Sequence, residues 1–419
     1  MITACLAFSL TFSGHAVQFT APEPPVRDTT SISAPAQKYG NGVFAYFDIF
    51  RKYKGKILFD NVLMKIKDSG FNILLPQVIT HLGYASYKSS ILPEDKSLFS
   101  GINSGTDPLK SLINHAKKEN IKIWGWAELF HGNKKLLDAH PDWFAIGADG
   151  KRTGYLDFLN PKVQAYTLNA LSELSRNYAL DGLNLDIEMP ISKVSYSEND
   201  IKMFDSETHS NVTSRTALEN SNAWYYWMND KLAAFLRTAT ARIKEANKSI
   251  VISYDVTPTP YSYSYYMDFT RWIRDGAKPD VVDPMIYWED YGYSISFVKS
   301  YTAEDVNLLK NSGVDVMTAI GRSYSSGKLS GSEWIKGAKE AISGGSKGIL
   351  AFSYMAIEED RALHAFKRYL RGGQESGQNR ENTKTQIPLA LPKDTRGGTA
   401  PAGNSAQNQS TSKNTWLKR

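Results

Sequence analysis

The chain has 419 residues, 42% hydrophobic and 22% charged, the make-up of an ordinary globular protein with room for one large α/β barrel, long loops and a tail. Its net charge of +6 comes from Lys and Arg scattered along the sequence, which reads as solvated surface and not as a nucleic-acid footprint, and no apolar run reaches the ~18 to 20 residues that span a bilayer. The 23 Tyr and 9 Trp are more than a core of this size needs, and the surplus suggests rings that stack on a ligand such as a sugar.

In chain order, residues 1–16 place Ile2, Leu6, Phe8, Leu10 and Phe12 before Gly14-His15-Ala16, which reads as a signal peptide and an extracytoplasmic address, although no Lys or Arg precedes Arg27. Cys5, the single cysteine, lies inside this stretch, so disulfides and cysteine catalysis are excluded. Ile2-Thr3-Ala4-Cys5 also resembles a lipoprotein processing box, which would make Cys5 a membrane anchor, but the apolar residues after it argue against that. Residues 17–38, rich in Pro, Ala, Ser and Thr, read as a linker, and 372–419, polar and poor in large apolar residues, as a disordered tail.

Between them, over 39–371, short apolar runs alternate with segments of helical period. Strands are predicted at 43–48, 71–77, 121–128, 182–188, 250–255, 281–288, 314–320 and 348–354. Helices are predicted at 57–69, 108–119, 161–178, 223–246, 265–275, 303–311, 332–342 and 358–370. Asp107-Pro108 and Asn160-Pro161 put a cap before a first-turn proline, while Gly70 and Gly313 end helices. Eight strands, each followed by a helix, predict a single-domain (β/α)₈ TIM barrel; an open doubly wound sheet is the runner-up, but its Gly-rich phosphate loop is missing.

In that fold the chemistry sits at the C-terminal strand ends, on the parity that faces the barrel axis. On the fourth strand Asn184, Asp186 and Glu188 share one face and Leu183, Leu185 and Ile187 the other. Three polar side chains in a row inside a barrel are costly unless they form a network or meet a wet cleft. On the third strand Trp124, Trp126 and Glu128 share a face and look like a sugar-binding wall ending in a carboxylate. Asp255 closes the fifth strand, Asp283, Tyr287 and Glu289 share a parity at the sixth, where Trp288 lies between them, and Tyr354 ends the eighth. The connections after strands three and four are each about 30 residues, a length that in a compact domain usually carries function. The first holds His140-Pro141-Asp142-Trp143 and Gly150-Lys151, and Tyr261, Tyr263, Tyr265 and Tyr266 follow strand five.

Two family resemblances rest on these motifs. The order His140-Pro141-Asp142-Trp143, Asp149-Gly150-Lys151, Tyr155-Leu156-Asp157, Asn160-Pro161, then Asp181-Gly182 and Asp186, resembles the glycosyl-hydrolase-like 10 family of bacterial extracytoplasmic barrels. Asp181-Gly182-Leu183-Asn184-Leu185-Asp186-Ile187-Glu188, with Met285-Ile286-Tyr287, is similar to the fourth and sixth strands of family 18 chitinases. That second likeness implies Glu188 as proton donor, Asp186 as the group that orients a substrate acetamido group, and Tyr287 as its assistant. It departs at Asn184, where the pattern has Asp, and at Trp288, which stands where the pattern places Asp.

The expected function is hydrolysis of a polysaccharide containing N-acetylhexosamine, such as peptidoglycan strands, with Glu188 and Asp186 as catalytic pair. Asn184, Tyr287, Glu128, Trp126, Trp124, Asp255, Trp288, Glu289 and Tyr354 are the candidates for binding the sugar. Two alternatives stay open: a two-carboxylate glycosidase acting on a neutral glycan, pairing Asp186 or Glu188 with Glu128, Asp255 or Glu289, and a non-catalytic carbohydrate-binding barrel. No cofactor is expected, and the seven His form no paired ligand motif for a metal.

Overall fold

The structure is a computed structural model that describes residues 38–50, 59–102, 105–212, 214–258, 264–323 and 327–375. The expected leader and Cys5, nearly all of the linker, Tyr261, Tyr263 and the tail beyond Glu375 lie outside the described residues. Eight parallel strands close on themselves: β1 (Gly42–Ala45), β2 (Ile73–Ile79), β3 (Lys122–Glu128), β4 (Gly182–Asp186), β5 (Val251–Val256), β6 (Val281–Ile286), β7 (Asp315–Val316 and Thr318–Gly321, interrupted at Met317) and β8 (Ile349–Phe352). Pairing of Gly42 with Leu350 and of Val43 with Ala351 joins β8 to β1. That closure makes the fold a (β/α)₈ barrel and rules out the open sheet.

The surrounding helices are α1 (Phe59–Asp68), α2 (Pro108–Lys118), α3 (Pro161–Asn177), α4 (Asn222–Ala246), α5 (Phe269–Arg274), α6 (Ser296–Leu309), α7 (Gly331–Ser343) and α8 (Leu363–Glu375). The punctuation works as its chemistry demands. Asp107 accepts the Lys110 N–H and Asn160 the Lys162 N–H, each ahead of a proline whose missing N–H costs nothing there. Gly70 and Gly313 hold φ of +88° and +77°, a turn that a β-carbon would resist. The final helix runs past the expected boundary at 371, to Glu375.

Two apolar cores result from the pleat. Phe44, Ile73, Leu75, Trp124, Met285, Met317 and Leu350 fill the barrel interior, while Leu183, Leu185, Ile252 and Tyr254 face outward onto the helices. The interior is therefore a packed plug, with polar groups reaching the axis only near the C-terminal strand ends. Trp124 belongs to that plug: its ring is 1% exposed, lies edge-on to Tyr39, and covers Gly182 on the neighbouring strand. A sugar cannot reach it, which corrects the expectation that Trp124 forms part of a binding wall.

The Asp181-Gly182 pair opens β4 for a steric reason. A β-carbon on Gly182 would stand 2.4 Å from the Trp124 ring, while the Asp181 carboxylate accepts the Ile123 N–H at 2.9 Å. Gly182→Ala is expected to destabilise the barrel by about 1 to 3 kcal/mol through overpacking. Urea denaturation would show this as a lowered midpoint at unchanged slope, and an unchanged midpoint would mean that Trp124 moves aside freely.

Candidate active site

Register decides which side chains meet. Glu128 on β3 pairs with Asp186 on β4, Asp186 with Asp255 on β5, and Asp255 with Asp283 on β6. With parallel strands about 4.8 Å apart, the four carboxyl groups stand side by side across neighbouring strands, stepping along the barrel axis because the strands tilt. Two residues earlier along these strands, Trp126, Asn184 and Ser253 are likewise in register.

Asn184 ties these strands together. Its amide nitrogen lies 2.9 Å from Ser253 Oγ, 2.9 Å from Asp255 Oδ1 and 3.0 Å from Asp283 Oδ2. Two N–H groups cannot serve three acceptors fully, and the Asn184 and Asp283 Oδ1 atoms are buried without partners. A proton on one of the acids relieves the mismatch, and burial drives in that direction. It pushes Asp283 up to about 8 against the hydrogen bonds from Ser253 and Asn184, and it raises Asp255 well above the carboxylate range, helped by the charges of Asp186 and Asp283.

Asp186 accepts the Trp126 indole N–H through Oδ2 at 3.0 Å, and its Oδ1 is buried without a partner. Burial lifts it to about 6, opposed by that indole and by the Glu188 backbone N–H. The strand itself stops at Asp186, so Glu188 sits two residues beyond it and partly exposed at the rim. Burial, then repulsion from Asp186, raises Glu188 to about 8. Glu128 accepts a hydrogen bond from Gln77 and is raised by burial and by the Asp186 charge. His131 approaches it at 3.9 Å, but burial lowers that imidazole to about 4 and leaves it neutral.

Aromatic rings line the mouth beside the carboxyl groups. Tyr287 stacks on Phe352 at 5.4 Å between centroids, Phe352 meets Trp126 edge-on at 5.8 Å, and Tyr46 meets Trp126 at 5.4 Å. Burial raises the Tyr287 hydroxyl well above its ordinary value, so it keeps its proton and can donate.

The fold thus brings together Glu188, Asp186, Asn184, Glu128, Trp126, Asp255 and Tyr287. Besides Trp124 in the interior plug, three candidates fall elsewhere. Trp288 is 1% exposed with its ring against Gly337 of α7, because the residue after Tyr287 takes the opposite, outward parity. Tyr354 starts the helix Tyr354–Glu359 and packs into the outer core, its hydroxyl donating to Glu358 at 2.7 Å; β8 ends at Phe352, so strand parity no longer applies to it. Glu289 stands exposed on the turn beyond β6. Gln77, Tyr46 and Phe352 were missing from the expected set. Gln77 was visible as the one polar residue on the inward parity of β2, and Phe352 as the last inward residue of β8.

Both long connections are structured. Strands Phe144–Ile146 and Arg152–Leu156 form a hairpin after β3, turned at Asp149-Gly150, and helices Glu198–Thr208 and Arg215–Glu219 follow β4. The two connections are pinned to each other where Tyr196 N–H donates to Ile146, Ala148 N–H to Ser192, and Ser195 Oγ to Asp157 at 2.8 Å. Tyr266 is buried beneath them, taking the Trp224 indole N–H at 2.9 Å and meeting Tyr196 Oη at 3.1 Å, so this aromatic cluster supports the loops from within. His140 stacks on Trp143 at 4.1 Å. Among the described residues, no group of three or more His, Cys, Asp or Glu is arranged to hold a metal ion.

The profile of the family described as Glycosyl hydrolase-like 10 matches residues 52–328. No curated protein matches the chain in sequence. Among solved structures, the PgaB (BpsB) glycoside hydrolase domain from Bordetella bronchiseptica superposes with a TM-score of 0.60 at 12% identity, covering 79% of this chain and 98% of that one. A beta-galactosidase from Bacillus circulans sp. alkalophilus gives 0.60 at 12% identity over 83% of this chain, which spans 57% of the galactosidase. A second beta-galactosidase, from the psychrophilic Marinomonas ef1, gives 0.59 at 13% identity over 80% of this chain, which spans 59% of it. At these identities the likeness is one of fold.

The raised acids make stability depend on pH. Asp283 and Glu188 titrate near 8 and Asp186 near 6 when folded, against about 4 in the unfolded chain. Their contribution is fully present below pH ~4 and is lost as pH rises through 6 to 8, because the unfolded chain gives up these protons first. Unfolding free energy measured by urea titration should therefore decline between pH 5 and 8, and Asp283→Asn should flatten that decline. An identical slope in the variant would show that Asp283 is already ionised in the folded protein.

Proposed function

Because the chain belongs to the Glycosyl hydrolase-like 10 family, we propose that it is a glycoside hydrolase acting on a glycan that contains N-acetylhexosamine, peptidoglycan strands in particular. In this reading Glu188 is the general acid and base, and Asp186 orients the acetamido group, whose oxygen attacks the anomeric carbon from within the substrate. Tyr287 donates a hydrogen bond from its hydroxyl to the same group, and Tyr46 and Phe352, half-buried beside the nearly buried Trp126, meet the sugar face.

The observation that carries the proposal is the state of Asp186. One carboxylate oxygen is fixed by the Trp126 indole and the other, buried and unpartnered, is left to accept an N–H. A buried acceptor without a donor costs about 1 to 3 kcal/mol, which an acetamido N–H would recover on binding. Glu188, held to about 8, carries the proton that a departing glycosidic oxygen needs near neutral pH. Asn184, neutral where the chitinase pattern has Asp, holds Asp255 and Asp283 in place of adding a further charge beside Asp186.

One observation favours a second reading. Glu128 is next to Asp186 in register and is oriented by Gln77, so it could serve as partner carboxyl in a two-carboxylate mechanism on a neutral glycan. An extracytoplasmic location, read from the apolar N-terminal stretch, completes the proposal; among the described residues no helix is long and apolar enough to cross a membrane.

The test is to incubate the purified protein with denuded peptidoglycan, chitin oligomers and neutral glucans and identify products by mass spectrometry. Cleavage of the first two, lost by about 10²- to 10⁴-fold in Glu188→Gln, is expected. The rate should fall as pH rises through about 8, where Glu188 loses its proton. Cleavage confined to glucans without acetamido groups would sink substrate assistance, and binding without turnover, equal in Glu188→Gln, would identify a non-catalytic barrel.

A further inference from the structure

Away from the carboxyl cluster, a groove of about 710 Å³ runs between α7 and α8 on the barrel wall. The helices touch at its floor, where a β-carbon on Gly331 would lie 3.1 Å from the Ala365 methyl, and Trp334 meets Phe366 beneath. Two facing stripes line it. Lys336 and Lys339 project from α7, Arg361 from the turn two residues before α8, and His364 and Arg368 from α8 itself, all of them exposed.

Three acids beside the groove are engaged elsewhere, and Glu340 of α7 forms no ion pair with its lysines. Glu333 caps its own helix by accepting the Ser330 N–H, Asp360 is held by Arg322 and Trp334, and Glu359 pairs with Arg322 and Lys328. Among the described residues none of Lys336, Lys339, Arg361, His364 and Arg368 has a carboxylate within ion-pair distance. Ile335 and Tyr369 supply apolar surface between the charges, with the Lys339 ammonium 5.9 Å from the Tyr369 ring centre.

We propose that this groove is a second binding site, for a glycan that carries a carboxylate on successive sugars. Charge complementarity sets the sign of the ligand, and the shape sets its class. Lys336 and Lys339 on α7, and His364 and Arg368 on α8, are three and four residues apart, which sets neighbouring polar heads about 5 to 6 Å apart, the scale of one pyranose ring, with Arg361 extending the row beyond the helix. The ring of Tyr369 offers a sugar a flat apolar face. A bilayer would require a convex basic surface, whereas here the charges face each other across a furrow. Helices of this barrel begin at the end where the carboxyl cluster lies, so the groove opens beside the mouth at Gly331 and Arg361 and descends the wall. The proposal stands on the groove's own lining and holds whether or not the carboxyl groups cleave.

The experiment is fluorescence anisotropy of a labelled oligogalacturonate with the full chain, beside a neutral galactan oligomer and vesicles containing phosphatidylglycerol. Expected is salt-sensitive binding of the oligogalacturonate, weakened about tenfold or more in Arg361→Glu/Arg368→Glu, with at least tenfold weaker binding of the neutral oligomer. Circular dichroism of the variant, and its unchanged turnover of any short substrate the parent cleaves, would separate loss of the groove from loss of the fold. Equal binding by the variant, no binding of oligogalacturonate by the parent, or binding to vesicles alone would each overturn the proposal.

Discussion

Everything at the mouth of this barrel depends on the in-register pairing of β3, β4, β5 and β6. Parallel pairing fixes the register of each residue, and the pleat fixes its face, so Glu128, Asp186, Asp255 and Asp283 fall side by side on neighbouring strands. Four carboxyl groups at that spacing cannot all ionise in a poorly solvated interior, and the protein meets the problem with protons and neutral donors in place of Lys or Arg. Asn184, Gln77, Ser253 and Trp126 supply those donors. A cation would have lowered these acids and removed the proton that the proposed chemistry uses.

The second constraint is steric. The packed interior below the carboxyl cluster, with Trp124 filling the space over Gly182, prevents that cluster from sinking into the barrel and gives it a rigid floor. Above it, the hairpin after β3 and the helical insert after β4 are stapled together and propped by Tyr266 and Trp224. Aromatic content that looks in composition like surplus for ligand binding is thus divided between three tasks. Trp124, Trp224 and Trp288 pack, Tyr266 props the loops, and Trp126, Tyr46, Tyr287 and Phe352 border the cleft. In the proposed function it is the last group that meets the sugar.

The same separation of tasks applies to charge. Lys and Arg look evenly scattered in sequence, yet two helices bring Lys336, Lys339, Arg361 and Arg368 to one furrow. The mouth is acidic and the adjacent wall basic, and that contrast exists only once α7 and α8 lie side by side.

Much of this was legible in the linear sequence, because it rests on short-range rules. The count of eight βα units, the capped starts at Asp107 and Asn160, and the polar parity of Asn184 and Asp186 follow from periodicity and from local hydrogen-bonding chemistry. What the sequence could not decide were relations between segments far apart in the chain. The hydrogen bonds from Asn184 to Ser253, Asp255 and Asp283 span 69 to 99 residues, and the pairing of Gln77 with Glu128 spans 51. Strand ends were equally out of reach: β8 stops at Phe352, so Tyr354 turns into the outer core, and one step beyond Tyr287 sends Trp288 outward. Local chemistry chose the elements and the face of each residue within them. Register, closure and the exact residue at which each strand stops were settled by packing across the barrel, where interaction energies depend on neighbours that sequence order does not reveal.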